Sequence, residues 1–324
     1  MGMAAAALVM TACSNDETDN WNGEIRLTSG LEVQQETRGV STGLQGTQIA
    51  DGIHVGFFIN EAVSSGATTT YTQNMDYTAN GRGSFSGTAV YYPQSGNGVN
   101  IYAYAPWQTG LALDGNYAFS VQTDQSLNAG YLASDLLWGQ PMKESTATPG
   151  TYTTANPVAR TKNNVSVTFK HLLSKIQVTL TPDAASGLTA DDFKGATLQI
   201  LQVLPGTTLT LANGSISPAS GNKTDITAAT YGTGTTPTLT AAAIVVPQTI
   251  AKGEQFLKVH LATGGELYYT LPSGDSDADL TLESGKIYTY DITVKLTGLK
   301  VTSTIEDWGT IGAGNPVKGD AVME

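Results

Sequence analysis

The chain has 324 residues, a formal net charge of −12 and only 14% charged residues, with no basic cluster. An acidic chain of this kind argues against a nucleic-acid partner, because phosphate contacts need grouped Lys and Arg, and against direct binding to anionic lipid. Gly at 36, Tyr at 14 against Phe at 7, and abundant Thr, Ser and Asn favour strands joined by tight turns.

The amino-terminal stretch 4–12 is apolar, closes on small residues and ends at Cys13, which is followed at once by the acidic tract 14–20. This reads as a lipoprotein signal peptide over 1–12, with Cys13 as the acyl acceptor and 13–21 as an acidic, solvated tether. No Lys or Arg precedes the apolar run, a departure from the usual positive n-region. The run is also shorter than the roughly 20 apolar residues that a spanning helix needs. An acylated Cys13 anchors through buried methylenes worth about 0.8 kcal/mol each. It is the only cysteine, so none remains for a disulfide, a thiolate nucleophile or a zinc site.

Beyond the tether, period-2 alternation dominates. Ile25, Leu27, Leu31 and Val33 form a first, mostly alternating run. Ile53, Val55, Phe57 and Ile59 follow, then Val99, Ile101, Ala103 and Ala105. Between these runs, 60–70 and 94–100 have loop composition. The stretch 143–162 has little periodicity, and the pattern restarts with Val165, Val167 and Phe169, continuing through Ile176, Val178 and Leu180. Later runs are Leu257, Val259, Leu261; Leu267, Tyr269, Leu271; and Tyr288, Tyr290, Ile292, Val294, Leu296, with a turn expected at Gly298 and a return strand through Leu299, Val301, Ser303 and Ile305. No helical periodicity exceeds two or three turns. The expected fold is all-β, two tandem sandwiches over 22–164 and 165–324.

Chemistry is sparse in this pattern. His54 and His260 sit inside alternating strands, and neither they nor His171 come with a sequence-level base and orienter, so no catalytic residue is expected. Asp275, Asp277 and Asp279 begin like a calcium loop, but Leu280 stands where glycine is needed and Lys286 where a closing glutamate belongs, so no metal site is expected. No cofactor motif is present. Tyr91, Tyr92, Tyr102, Tyr104 and Trp107 offer rings for stacking on a sugar, although such rings on strands more often pack as cross-strand pairs.

Several segments, taken in order, resemble the fimbrillin superfamily of Bacteroidetes, in its Mfa-like branch. They are the leader with Cys13, then Glu36-Thr37-Arg38-Gly39, Tyr91-Tyr92-Pro93, and Ile101-Tyr102-Ala103-Tyr104-Ala105-Pro106. Asp135-Leu136-Leu137-Trp138-Gly139 and Phe169-Lys170-His171-Leu172-Leu173-Ser174-Lys175-Ile176 follow, then Val245-Val246-Pro247-Gln248, Gly285-Lys286-Ile287-Tyr288-Thr289-Tyr290 and Ile305-Glu306-Asp307-Trp308. The acidic tract after Cys13 is similar to the export signal of surface lipoproteins in the same phylum.

The resemblance implies transthyretin-like sandwiches, lipoprotein export to the outer membrane, and assembly into a surface fimbria. It further implies that an Arg-specific protease cuts between Arg38 and Gly39, removing the lipid and the first strand, and that a strand of another fimbrial subunit fills the groove. The candidate donor runs through Ile311, Ala313, Val317, Ala321 and Met323, which fall on odd positions, although Gly309, Gly312, Gly314, Pro316 and Gly319 are poor strand formers. Stalk, tip, accessory and anchor roles stay open, with a host or bacterial surface molecule as a possible ligand. The alternative function is a monomeric glycan-binding surface lipoprotein.

Overall fold

A computed structural model describes residues 21–31, 48–63, 68–144, 152–231, 238–274, 276–295, 298–308 and 317–320. The first half carries β1 (Leu27–Leu31), β2 (His54–Ala62), β3 (Thr68–Ala79), β4 (Phe85–Gly87), β5 (Val99–Ala105), β6 (Asn116–Ser120), α1 (Asn128–Ala133), β7 (Leu137–Glu144), β8 (Tyr152–Thr154) and β9 (Val165–His171). Next come β10 (Ser174–Pro182), α2 (Ala190–Phe193), β11 (Thr197–Val203), β12 (Gly206–Thr210), β13 (Ser215–Ile216), β14 (Thr224–Thr227) and β15 (Ala229–Tyr231). The chain continues through β16 (Leu239–Val245), β17 (Thr249–Ile250), β18 (Gln255–His260), β19 (Glu266–Thr270), β20 (Leu280–Thr281), β21 (Lys286–Lys295), β22 (Gly298–Asp307) and β23 (Val317–Asp320). The all-β expectation holds, and no described helix is long and apolar enough to cross a membrane.

The first sheet runs β1-β9-β7-β5-β2-β3-β4, with β8 beside β7. Its inward side chains, including Val55, Phe57, Ile59, Val99, Ile101, Val165, Val167 and Phe169, form one core. The second half builds a sheet β15-β16-β10-β21-β22-β23 and another, β14-β11-β18-β19. Between these two sheets Tyr290 packs 5.7 Å from Phe256 and 6.2 Å from Tyr269, ring centre to ring centre. Burial there pushes the Tyr290 phenol far above its ordinary range.

The alternating runs at 165–169, 176–180 and 288–294 become strands with every second side chain buried, because one face of each packs on a core and the other does not. The structure departs from the sequence reading in particular places. β2 extends to Ala62 and β3 begins at Thr68, shortening the loop read over 60–70. The quiet stretch 143–162 contains β8, and Gly298 opens β22. The break read at 164/165 falls just before β9, which pairs with β7 and β1 in the first sheet, while β10 belongs to the next sheet.

The halves are stitched together. β6 pairs antiparallel with β12, from Gly206 opposite Ser120 to Thr210 opposite Asn116. Buried Gln125 makes a reciprocal pair with the Ile244 backbone, donating from Nε2 to its carbonyl and accepting its N–H at Oε1, each at 2.8 Å. The Trp138 Nε1–H donates to the Leu211 carbonyl at 2.8 Å. Phe58 and Tyr104 turn from β2 and β5 into the larger core that the second half supplies.

Candidate functional site

The strand β1 is bonded on both flanks. On one side it runs parallel to β9, from Leu27 opposite Val165 to Leu31 opposite Phe169, and the Val165 N–H donates to the Arg26 carbonyl at 2.7 Å. On the other side it meets the strip Gly83–Tyr92, which leads into and out of β4 at the far end of the same sheet. There the Ser29 N–H donates to Gly83 at 2.9 Å, Ile25 to Val90 at 2.7 Å, and Tyr92 to Gly23 at 2.8 Å. The segment 21–31 therefore closes the two ends of the first sheet on each other. Gly83 lies at φ +85°, and a Cβ there would stand 3.1 Å from the Ser29 carbonyl oxygen, so a glycine is what lets the strip approach.

Alternation decides which side chains enter the core. Gly23, Ile25, Leu27 and Ser29 are buried, whereas Asn22 and Arg26 are exposed. Ile25 and Leu27 join the core formed with Val90, Tyr92, Val165 and Val167. At the upstream end Trp21 continues the odd register, its ring edge-on to Tyr92 at 6.1 Å and 72°. The Arg160 guanidinium lies over both rings, 4.9 Å from the Trp21 centre and 6.0 Å from that of Tyr92. The Trp21 Nε1–H donates to the Glu24 carbonyl at 3.0 Å. Gly23 sits at φ +92°, which favours glycine, and a Cβ there would stand 2.7 Å from Arg160 Nη2 and push the guanidinium aside. Burial raises the Tyr92 phenol above its ordinary range, partly offset by the Arg160 charge.

Of the residues singled out in the sequence, Cys13, Arg38, Gly39, Ile311, Ala313, Ala321 and Met323 lie outside the described residues. Arg38 falls in the chain between the end of β1 and residue 48, and Val317 opens β23. The β23 backbone lies antiparallel on the outer flank of β22, with Val317 opposite Ser303 and Asp320 opposite Lys300.

The histidines are dispersed. His54 is exposed beside Asp76 at 2.8 Å, and His260 is exposed 3.9 Å from Glu266. His171 is buried, its Nδ1 lying 2.9 Å from Asp135 Oδ1 and its ring stacked on Trp308 at 3.9 Å and 6°. The Trp308 N–H donates to the Gly285 carbonyl, so this cluster pins the end of β22. Asp277 Oδ2 accepts from the Gly274 N–H at 2.6 Å and Asp279 Oδ1 from the Lys252 N–H at 3.0 Å, which commits these carboxylates to loop backbone. Among the described residues no group of three or more His, Cys, Asp or Glu side chains is arranged to hold a metal.

Of the five rings considered for sugar stacking, only Tyr91 is exposed. Tyr104 stacks on Phe58 at 5.9 Å and donates to Asn74 Oδ1 at 2.6 Å, and the Trp107 Nε1–H donates to the Asn74 carbonyl at 3.2 Å. Tyr92 forms one wall of the Trp21 slot. Sequence reasoning missed Trp21, Arg160 and the strip Gly83–Tyr92. The available signal was an aromatic residue on the same odd register as Ile25 and Leu27.

Comparison with known proteins places this geometry in context. A family model described as fimbrillin-like matches residues 37–308. A Bacteroides uniformis protein named as a candidate fimbrium subunit, Fim1C, is 24% identical over 328 aligned positions, covering 98% of this chain and 96% of its own. A crystal structure described as a candidate cell adhesion protein from Bacteroides uniformis superposes with a TM-score of 0.62 at 22% identity, covering 89% of this chain and 99% of that one. A second, from Bacteroides ovatus, also gives 0.62, at 20% identity with coverages of 89% and 99%. At these identities the two structures establish the shared fold.

Proposed function

Because the chain belongs to the fimbrillin-like family, we propose that it is a fimbrial subunit or accessory or tip adhesin of the bacterial surface. It is exported as an outer-membrane lipoprotein on Cys13 and assembled after proteolysis at Arg38–Gly39. Its partners are other fimbrial subunits, an Arg-specific protease and the lipid anchor. It acts by binding and polymerising, with no turnover of a substrate. The naming of Fim1C as a candidate fimbrium subunit supports the reading, since that likeness spans nearly both chains.

The observation that carries the assembly step is the position of β1. It is bonded on both flanks, it fills the core with Ile25 and Leu27, and it lies wholly upstream of Arg38. A cut there leaves it held by non-covalent contacts alone. Its departure opens the β9 edge, the strip Gly83–Tyr92 and the apolar slots of Ile25 and Leu27 together. Unpaired strand edges next to exposed core are strong templates for another chain. An incoming strand gains affinity from main-chain bonds and specificity from alternate side chains.

The test uses protein from Ser14 onward, treated with an Arg-specific protease and run unboiled on a denaturing gel beside Arg38→Ala. Shortening of the chain, with release of the fragment upstream of Gly39, is expected only with the intact arginine. An uncut chain in both lanes would refute processing at Arg38, and a ladder would make a second copy of this chain the strand donor.

A further inference from the structure

Resting on the strand-exchange reading, we propose that the groove left by β1 selects a donor strand bearing an aromatic side chain. Its occupant is then a segment of a different subunit, not residues 309–324 of a second copy of this chain.

The segment 21–29 presents a continuous odd register to the protein: Trp21, Gly23, Ile25, Leu27 and Ser29, an aromatic, a glycine, two aliphatics and a small polar residue. The walls that read Trp21 are Tyr92 and Arg160, and both stay with the subunit after a cut at Arg38. A planar π face is what this slot rewards, since Arg160 sits over the ring and Tyr92 meets it edge-on. An aliphatic side chain supplies neither interaction. Gly23 adds a second requirement, because its φ of +92° is a backbone conformation that other residues rarely adopt. Residues 309–324 contain no Phe, Tyr or Trp, so no register and no strand direction lets them fill the slot. The part of that segment in β23 already lies on the β22 edge of its own chain.

The experiment measures binding of three peptides to protein cut after Arg38 and freed of its first strand: residues 21–31, the same peptide with Trp21→Ala, and residues 309–324. Fluorescence anisotropy gives each Kd, and the Arg160→Ala protein is measured in parallel. The 21–31 peptide is expected to bind tightest. The Trp21→Ala peptide should be weaker by about tenfold or more, 309–324 weaker still, and Arg160→Ala should narrow the gap between the first two. Equal affinity of the Trp and Ala peptides, or 309–324 binding as tightly as 21–31, would overturn the aromatic selection while leaving strand exchange intact. A first strand that cannot be released, or no binding even by 21–31, would overturn strand exchange and this inference with it.

Discussion

Leu27→Ala offers a direct measure of whether β1 is a separable unit. Leu27 is only 8% exposed and sits in the core beside Val165 and Val167. Truncating a buried leucine costs about 2–5 kcal/mol, the lower end applying where a site can relax. A strand bonded at a sheet closure can relax, so about 2–3 kcal/mol is expected here. If β1 opens without the rest of the fold, that loss falls on its local opening equilibrium and speeds exchange of the amides it protects by roughly 30- to 150-fold. Native-state hydrogen exchange would follow the amides of Val165, Ile25, Ser29 and Tyr92, each bonded across this closure. Amides between β21 and β22, paired from Lys286–Asp307 to Lys295–Gly298, serve as controls. Faster exchange at the closure with unchanged controls is expected. Uniform acceleration throughout, or none at the closure, would refute the idea that β1 leaves alone.

Alkali should unfold the protein in a defined window. Burial pushes the phenols of Tyr104 and Tyr117 up to about 12, against about 10 in an unfolded chain. Between those values the folded state holds more protons than the unfolded one, so stability is full below about pH 10 and falls as pH rises towards 12. Absorbance at 295 nm should show these rings ionising together with loss of circular dichroism, and independent early ionisation would contradict their burial. Gly56→Ala should destabilise by about 1–3 kcal/mol in urea, because its Cβ would stand 2.1 Å from Tyr104 Cε1 and that ring is fixed by its hydroxyl bonds. His171→Ala should cost about 3 kcal/mol by the same measurement. It strands buried Asp135, whose Oδ2 already lacks a partner among the described residues, and removes the ring stacked on Trp308. Trp138→Phe keeps an aromatic side chain but replaces the indole, leaving the Leu211 carbonyl without its donor, a loss of about 1–3 kcal/mol.

Most strands legible in the sequence have one face on a core and the other less buried, which makes them alternate, although β2 was legible with 55–60 buried throughout. β9, β10 and β21 read correctly through that alternation. β16 escaped because its Ala241–Val245 run is buried throughout, which erases the period. β3 escaped because its apolar register, Met75, Tyr77 and Ala79, is confined to the end of the strand, after a run rich in Thr, Gln and Asn. Pairing between distant segments leaves no local mark, so neither β6 on β12 nor the parallel bond of β1 to β9 was readable. The same limit hid the Trp21 slot, whose three members come from positions 21, 92 and 160, the last inside a stretch with little periodicity.

On the proposed reading, the role of a protease follows from concentration more than from contact energy. While residues 32–47 join β1 to the body, it competes for its own groove at an effective concentration on the order of millimolar. A donor strand of equal intrinsic affinity on a dilute neighbour cannot displace it. Cutting at Arg38 severs that link, and a released strand is diluted away while the donor remains attached to a subunit. The exchange then runs forward even if Ile25 and Leu27 are replaced by side chains that pack no better. A mismatch at the Trp21 slot would be exposed by the same cut, because before it the native tryptophan always returns. Proteolysis therefore turns a groove that is indifferent to its neighbours into one that discriminates among them.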